Sequence, residues 1–234
     1  MSYSMNYNGT NDKDLGVLVI KRPNIPTPEA KITQWNIAGR DGALISNDGF
    51  YDDIIIYAEL NFMTKKTEWN TRTRQIKEWL LNRQGNKRLL FSDDSSVFFK
   101  VKNVSIGEIQ RTSDRIGVLT PMFTCEPYTY MLAGQNQYDA SDVEQNPYMT
   151  SHPIYQITGE GMCTLTVNGN EMTANVGQNL TIDTDLMIAY RQDGTMQNTA
   201  VTGDYENLYL LPGDNVISIT DGFDLKIIPN WRTL

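Results

Sequence analysis

The stretch IAGRDGALISNDGFYDD, residues 37–53, runs directly into IIIYAELNF, residues 54–62. It opens on Gly39-Arg40-Asp41-Gly42, where two glycines permit backbone angles that other residues avoid, and it carries a second turn signal at Asn47-Asp48-Gly49. Three charged residues, Arg40, Asp41 and Asp48, lie inside it. Beyond it the spacing predicts a strand with Ile54, Ile56, Ala58, Leu60 and Phe62 on one face. A polar, two-turn loop entering a long amphipathic strand is compatible with a catalytic loop, a binding loop or a contact arm, and the rest of the chain has to decide.

On the amino-terminal side, Lys31–Ile37 reads as a strand. Before it, Pro23, Pro26 and Pro28 forbid helix and remove backbone donors, so residues 22–29 form an extended connector. The run Val17–Ile20 reads as a buried strand. On the carboxy-terminal side, Trp69, Ile76, Trp79 and Leu80 recur at steps near three, four and seven, which predicts a helix over residues 69–83 capped by Thr67 or Asn70 and stopped near Gly85. Strands follow at Arg88–Phe91, Val97–Val101 and Val104–Ile109, with a turn at Ser92-Asp93-Asp94, and the last runs Ile116–Glu126, bent at Pro121. This half reads as antiparallel sheets carrying one helix, an α+β arrangement.

Residues 135–153 are rich in Gln, Asn, Asp and Ser, and they are expected to be a linker between residues 1–134 and a second domain, 154–234. That domain shows regularly spaced short apolar runs, beginning Ile154–Ile157, Thr164–Val167, Glu171–Val176 and Leu180–Ile182, with turn signals at Asn168-Gly169 and Leu211-Pro212-Gly213. A β-sandwich of about eight strands is expected. The fold class is therefore mainly β with one α-helix.

Composition narrows function. With 234 residues and 40% hydrophobic residues the chain supports one large core or two modest ones. No apolar run approaches the ~20 residues that span a bilayer, and no secretory signal opens the sequence, so a cytoplasmic site of synthesis and residence is expected. Cys125 and Cys163 read as buried thiols. Charge is uneven: residues 1–134 hold 17 Lys and Arg against 15 Asp and Glu, residues 135–234 only 3 against 13. An acidic half with so few cations disfavours nucleic acid and anionic membranes as partners.

The search for chemistry returns little. His152, the single histidine, precedes a proline and reads as an exposed loop residue. One His and two Cys give no metal-ligand spacing, and Asp183-Thr184-Asp185 begins like a calcium loop but continues into Met187 and Ile188. Phosphate loops and nucleophile elbows are missing, and Asp52-Asp53 and Asp93-Asp94 read as solvated turn residues. No cofactor and no catalytic residue is expected.

Several short motifs in order do resemble a known family: Arg22-Pro-Asn-Ile-Pro-Thr-Pro-Glu29, Gly39-Arg-Asp-Gly42, Tyr51-Asp-Asp53, the Trp79-Leu80 helix, Phe91-Ser-Asp-Asp94, Lys100-Val-Lys-Asn-Val104 and Cys125-Glu-Pro-Tyr128. Together they look like the distal tail protein of long, non-contractile-tailed bacteriophages, over most of the first 130 residues. The resemblance implies a homohexameric ring at the virion tail tip (baseplate), with the amino-terminal domain building the ring and a galectin-like β-sandwich projecting outward. It implies as partners other copies of the chain, the major tail tube protein, the tail hub or tail fibre protein and, in some phages, a receptor-binding protein. Under it the opening stretch becomes part of the ring, and Arg40, Asp41, Asp48, Tyr51, Asp52 and Asp53 become candidate subunit-contact residues. The alternative is a carbohydrate-binding module contacting the host cell wall, with Trp231, Tyr190, Tyr205 and Tyr209 as platforms.

Overall fold

The computed structural model describes residues 3–82 and 84–234; the side chain of Asp48 lies outside that description, and so does Arg83, the expected helix end. The chain divides into two compact units, residues 1–129 with Leu234, and residues 130–233.

In the first unit, one antiparallel sheet runs in the order Thr10–Asn11, Met5–Tyr7, Arg88–Phe91, Asp94–Ser105, Met122–Met131, with Ile54–Tyr57 paired along the last of these. A second sheet orders Ile109–Arg111, Ile116–Leu119, Leu60–Met63 and Val17–Val19. The expected strand over residues 54–62 is thus two strands in two sheets. Its alternation survives, because Ile54, Ile56, Ala58, Leu60 and Phe62 are all buried. The break falls at Ala58-Glu59, opposite Pro121, whose carbonyl accepts from the Ala58 N–H at 3.2 Å. Pro121 donates nothing to the ladder, so residues 116–131 change sheets at the same level.

The helix, Trp69–Leu81, follows a turn of 3₁₀ helix and starts from Glu68 without a side-chain cap, rather than from Thr67 or Asn70. Its Ile76, Trp79 and Leu80 enter the core with Met5, Tyr7, Phe62 and Phe123. The Trp79 indole N–H donates to the Tyr7 carbonyl at 3.1 Å, satisfying the one polar atom this side chain brings inside. Gly117 faces Phe62 across the ladder. A Cβ there would overlap the Phe62 ring and lie 2.9 Å from Trp69 Cη2, so the glycine makes room for the Phe62–Trp69 contact, whose centroids are 5.3 Å apart.

In the second unit the four expected runs between 154 and 182 merge into one hairpin of two 14-residue strands, Ile154–Val167 and Asn170–Asp183. Asn168 and Gly169 join them with φ of 52° and 82°, the left-handed pair that a two-residue turn requires. Each long strand has two further neighbours, one per end. Asp224–Ile228 and Ile217–Ile219 flank the first, Ile188–Tyr190 and Val201–Thr202 the second. Residues from both ends, Tyr155, Ile182 and Ile227 as well as Leu165, Met172 and Ile217, bury in one core, so the sheet bends over on itself. Gly159 and Gly161, at φ of 154° and 105°, mark the bend on one strand.

Residues 135–153 are not a free linker but part of this unit. Tyr138 and Ile227 exchange backbone bonds of 2.8 and 2.9 Å, Val143 is fully buried, and Asn146 Nδ2 donates to the Met149 and Leu210 carbonyls at 3.0 and 3.3 Å. Asn146 bonds backbone carbonyls inside the unit, and Gln135 Nε2 donates to Asn230 Oδ1 at 3.0 Å, partners that composition does not reveal. Further on, Tyr205–Leu208 form a 3₁₀ turn, followed by a single bridge from Leu210 to Ser151.

Candidate subunit-contact arm

The opening stretch is an arm. Ala30–Asn36 and Ala43–Tyr51 pair with each other alone among the described residues, and Ile37–Gly42 form the tip. Gly39 and Gly42, at φ of 81° and 77°, turn the chain there, and the Arg40 N–H donates to the Ile37 carbonyl at 3.2 Å. The second turn signal does something else. Asn47-Asp48-Gly49 sits inside the strand, where the register shifts between Ala30 and Ile32, Gly49 has φ of 78° and its N–H donates to Asn47 Oδ1 at 2.9 Å. Turn chemistry here makes a β-bulge, the usual device for bending an edge strand.

The six candidate contact residues therefore do not form one cluster. Arg40 and Asp41 are exposed at the tip, and Tyr51, Asp52 and Asp53 lie at the base, about 20 Å of extended ribbon away, the length of Ala30–Asn36. Asp48 occupies the strand between them, with only its backbone described. At the base, Asp52 Oδ1 lies 3.4 Å from Lys31 Nζ, Asp53 Oδ1 accepts from Lys102 Nζ at 2.7 Å, and Tyr51 meets Tyr128 edge-on at 6.2 Å. These ion pairs are well exposed and contribute little to stability. They hold the root of the arm.

What the charge-based reading missed is the apolar surface. Ile32, Trp35, Ile37, Leu44, Ile45 and Phe50 are exposed by 47, 48, 47, 42, 57 and 66%. Trp35 opposes Leu44 on one face, while Ile45 opposes Gln34 and Ile32 opposes Asn47 on the other. A two-stranded ribbon is marginal alone, and one with large apolar side chains on both faces has no core side of its own. The signal was present in residues 32–45 as apolar residues at both odd and even positions of a short strand.

The remaining chemistry is quiet. Cys125 and Cys163 are free and buried, and burial, helped by Asp53 and Glu126, pushes the Cys125 thiol up to about 12, far from a reactive thiolate. Asp183 Oδ1 accepts from the Asp185 and Leu186 N–H groups at 3.0 and 2.9 Å, so the calcium-like sequence is a self-bonded turn. Asp94 bonds Ser96 and so serves its hairpin. Among the described residues no three His, Cys, Asp or Glu side chains come together as a metal site. His152 is not an exposed loop residue: it is half-buried between Asp185 and Arg232.

The fold, a helix-bearing antiparallel first unit followed by a bent, mainly β second unit, is similar to that of a solved phage Dit protein. One solved structure that the chain resembles is the Dit protein of phage SPP1, gp 19.1, described as a paradigm of the hub adsorption apparatus in phages infecting Gram-positive bacteria. It matches with a TM-score of 0.68 at 14% sequence identity, over 100% of each chain. No protein-family model matches the chain. No curated protein matches it either.

Proposed function

We propose that the chain is a structural, non-catalytic component of a phage tail tip, a homohexameric ring that joins the major tail tube protein to the tail hub or tail fibre protein and offers a mounting point for a receptor-binding protein. The observation that carries this reading is the arm: a ribbon apolar on both faces, on a chain with the fold of an adsorption-hub protein. A closed ring needs a heterologous contact in which each subunit offers one patch to a different patch of its neighbour. The arm supplies one such patch. The four-stranded sheet supplies open edges at Val17–Val19 and Ile109–Arg111, with Leu18 and Ile20 half exposed beside the first.

In this reading the first unit builds the ring, with Arg40, Asp41, Asp48, Tyr51, Asp52 and Asp53 along its contact arm, and the second unit, residues 130–233, forms the outward, galectin-like domain. The carbohydrate-binding alternative has less support. Trp231 is engaged by Tyr138 and Tyr148 at 5.4 and 5.9 Å, and Tyr209 is stacked on His152 at 4.0 Å, so these rings are already paired with protein partners.

Mass measurement and negative-stain imaging of the full chain test the proposal. A six-fold ring is expected, alone or with the tube protein added. A chain that stays monomeric at high concentration in both conditions overturns it. Charge reversal at Arg40 is expected to weaken assembly while the carboxy-terminal unit stays folded; unchanged assembly removes the tip from the contact.

A further inference from the structure

The second unit contains a polar cluster that neither the fold nor the proposed ring accounts for. His152 Nδ1 lies 2.8 Å from Asp185 Oδ1, and His152 Nε2 lies 2.9 Å from Arg232 Nη2. The imidazole stacks on the Tyr209 ring with centroids 4.0 Å apart and planes at 16°. A guanidinium donates hydrogen bonds and accepts none. The Arg232 contact therefore requires a lone pair on Nε2, which leaves the proton of a neutral ring on Nδ1, donated to the Asp185 carboxylate. Arg232 reads one protonation state and one tautomer of His152.

Arg232 belongs to the carboxy-terminal segment, which is fastened at several points to the start of the unit. The Met131 and Met149 N–H groups donate to the Trp231 and Arg232 carbonyls at 2.9 and 3.1 Å, and the Asn230 N–H donates to the Gly134 carbonyl at 2.9 Å. Asn230 Nδ2 donates to the His152 carbonyl and Arg232 Nε to the Thr150 carbonyl, both at 2.8 Å. The geometry points to a proton-operated fastening: taking up a proton on His152 converts Nε2 from acceptor to donor, strengthens the pair with Asp185, and turns the Arg232 contact into cation against cation, loosening residues 230–232. Among the charged and titratable groups around the ring are Asp185, with Asp183 bonded to its backbone N–H, Arg232, and Tyr209, whose hydroxyl feels Glu206, Asp185 and Arg232.

The chain has one histidine, so imidazole nitrogen resonances of the full-length protein report His152 alone. The expected result is a neutral ring protonated on Nδ1. Between about pH 8 and pH 5, hydrogen-exchange protection factors at the Met131 and Met149 amides are expected to fall by about tenfold or more, while those within Ile154–Val167 hold. A second arm uses His152→Gln, which cannot take up the proton; protection at the same two amides should then be insensitive to pH. A neutral ring protonated on Nε2, protection in the wild-type chain that does not change with pH, or an equal loss across the whole unit each overturns the inference.

Discussion

Replacing Trp35 with serine probes the arm at its largest side chain. Trp35 is 48% exposed in the isolated chain and lies opposite Leu44. A tryptophan offers about 200 Å² for burial, so roughly 100 Å² remains to be covered by a neighbour. At about 25 cal/mol per Å², covering it contributes on the order of 2.5 kcal/mol per contact, which corresponds to roughly a fiftyfold to hundredfold change in association constant. Within the isolated chain the substitution removes only the cross-strand pair with Leu44, on the order of 0.2–1 kcal/mol, and nothing from the core. Trp35→Ser is therefore expected to shift assembly, followed by mass photometry over a dilution series, to concentrations about fiftyfold higher or more, with the thermal midpoint of the protomer nearly unchanged. Lys31→Ser, which removes an exposed ion pair at the root of the same arm, serves as the control and should leave assembly close to wild type. If Trp35→Ser assembles like wild type, or if it lowers the thermal midpoint sharply, the arm is not a contact element of the kind described.

Other predictions concern the two cores. Gly117→Ala forces a methyl group into the Phe62 ring and should cost about 1–3 kcal/mol, visible as reduced denaturant stability of the first unit; an unchanged midpoint would mean that Phe62 and Trp69 repack freely. Tyr155→Phe removes a buried hydroxyl that donates to the Leu208 carbonyl at 2.7 Å and leaves that carbonyl unsatisfied, so a loss of about 1–3 kcal/mol is expected in the second unit. Asp12 is fully buried, with Oδ2 unpartnered, and burial outweighs its backbone hydrogen bonds to raise its pKa. A carboxyl raised in the folded state adds stability that is complete below its unfolded value, about 3.9, and is lost as pH rises through the folded value. Asp12→Asn should accordingly stabilise the chain at neutral pH relative to wild type and lose that advantage near pH 3; equal denaturant midpoints at neutral pH would count against a cost of ionising Asp12.

Much of this structure is legible in the sequence where one residue has one local job. Ile76, Trp79 and Leu80 place the helix stripe, Asn168-Gly169 places the hairpin, and Pro121 marks the bend where two strands change sheets. The illegible parts are those where a local signal serves a different use. Asn47-Asp48-Gly49 reads as a turn and is a bulge, and Ile154–Ile157 and Thr164–Val167 read as two runs and are one strand, bent at Gly159 and Gly161. The polar run 135–153 reads as a linker because its buried Asn146 and Ser151 satisfy or border backbone groups that only the folded unit brings near. The arm was found through its charges, but the surface that sets it apart is apolar. Its residues alternate without a solvent side, a pattern that makes sense only if the covering layer is another chain.

The long hairpin of the second unit bears on how that unit comes into being. Its fourteen paired positions radiate from a two-residue turn, so its ladder closes by small loops in sequence order, like a zipper started at Asn168-Gly169. Hairpins of this kind form within about 1–10 μs, whereas Ile217–Ile219 and Asp224–Ile228 must return across dozens of residues to reach their places beside Ile154–Val167. Long-range pairing of that kind is the slow step in β proteins. During synthesis the template would emerge before Ile217–Ile219 and Asp224–Ile228, and closure of the unit would wait until both had followed.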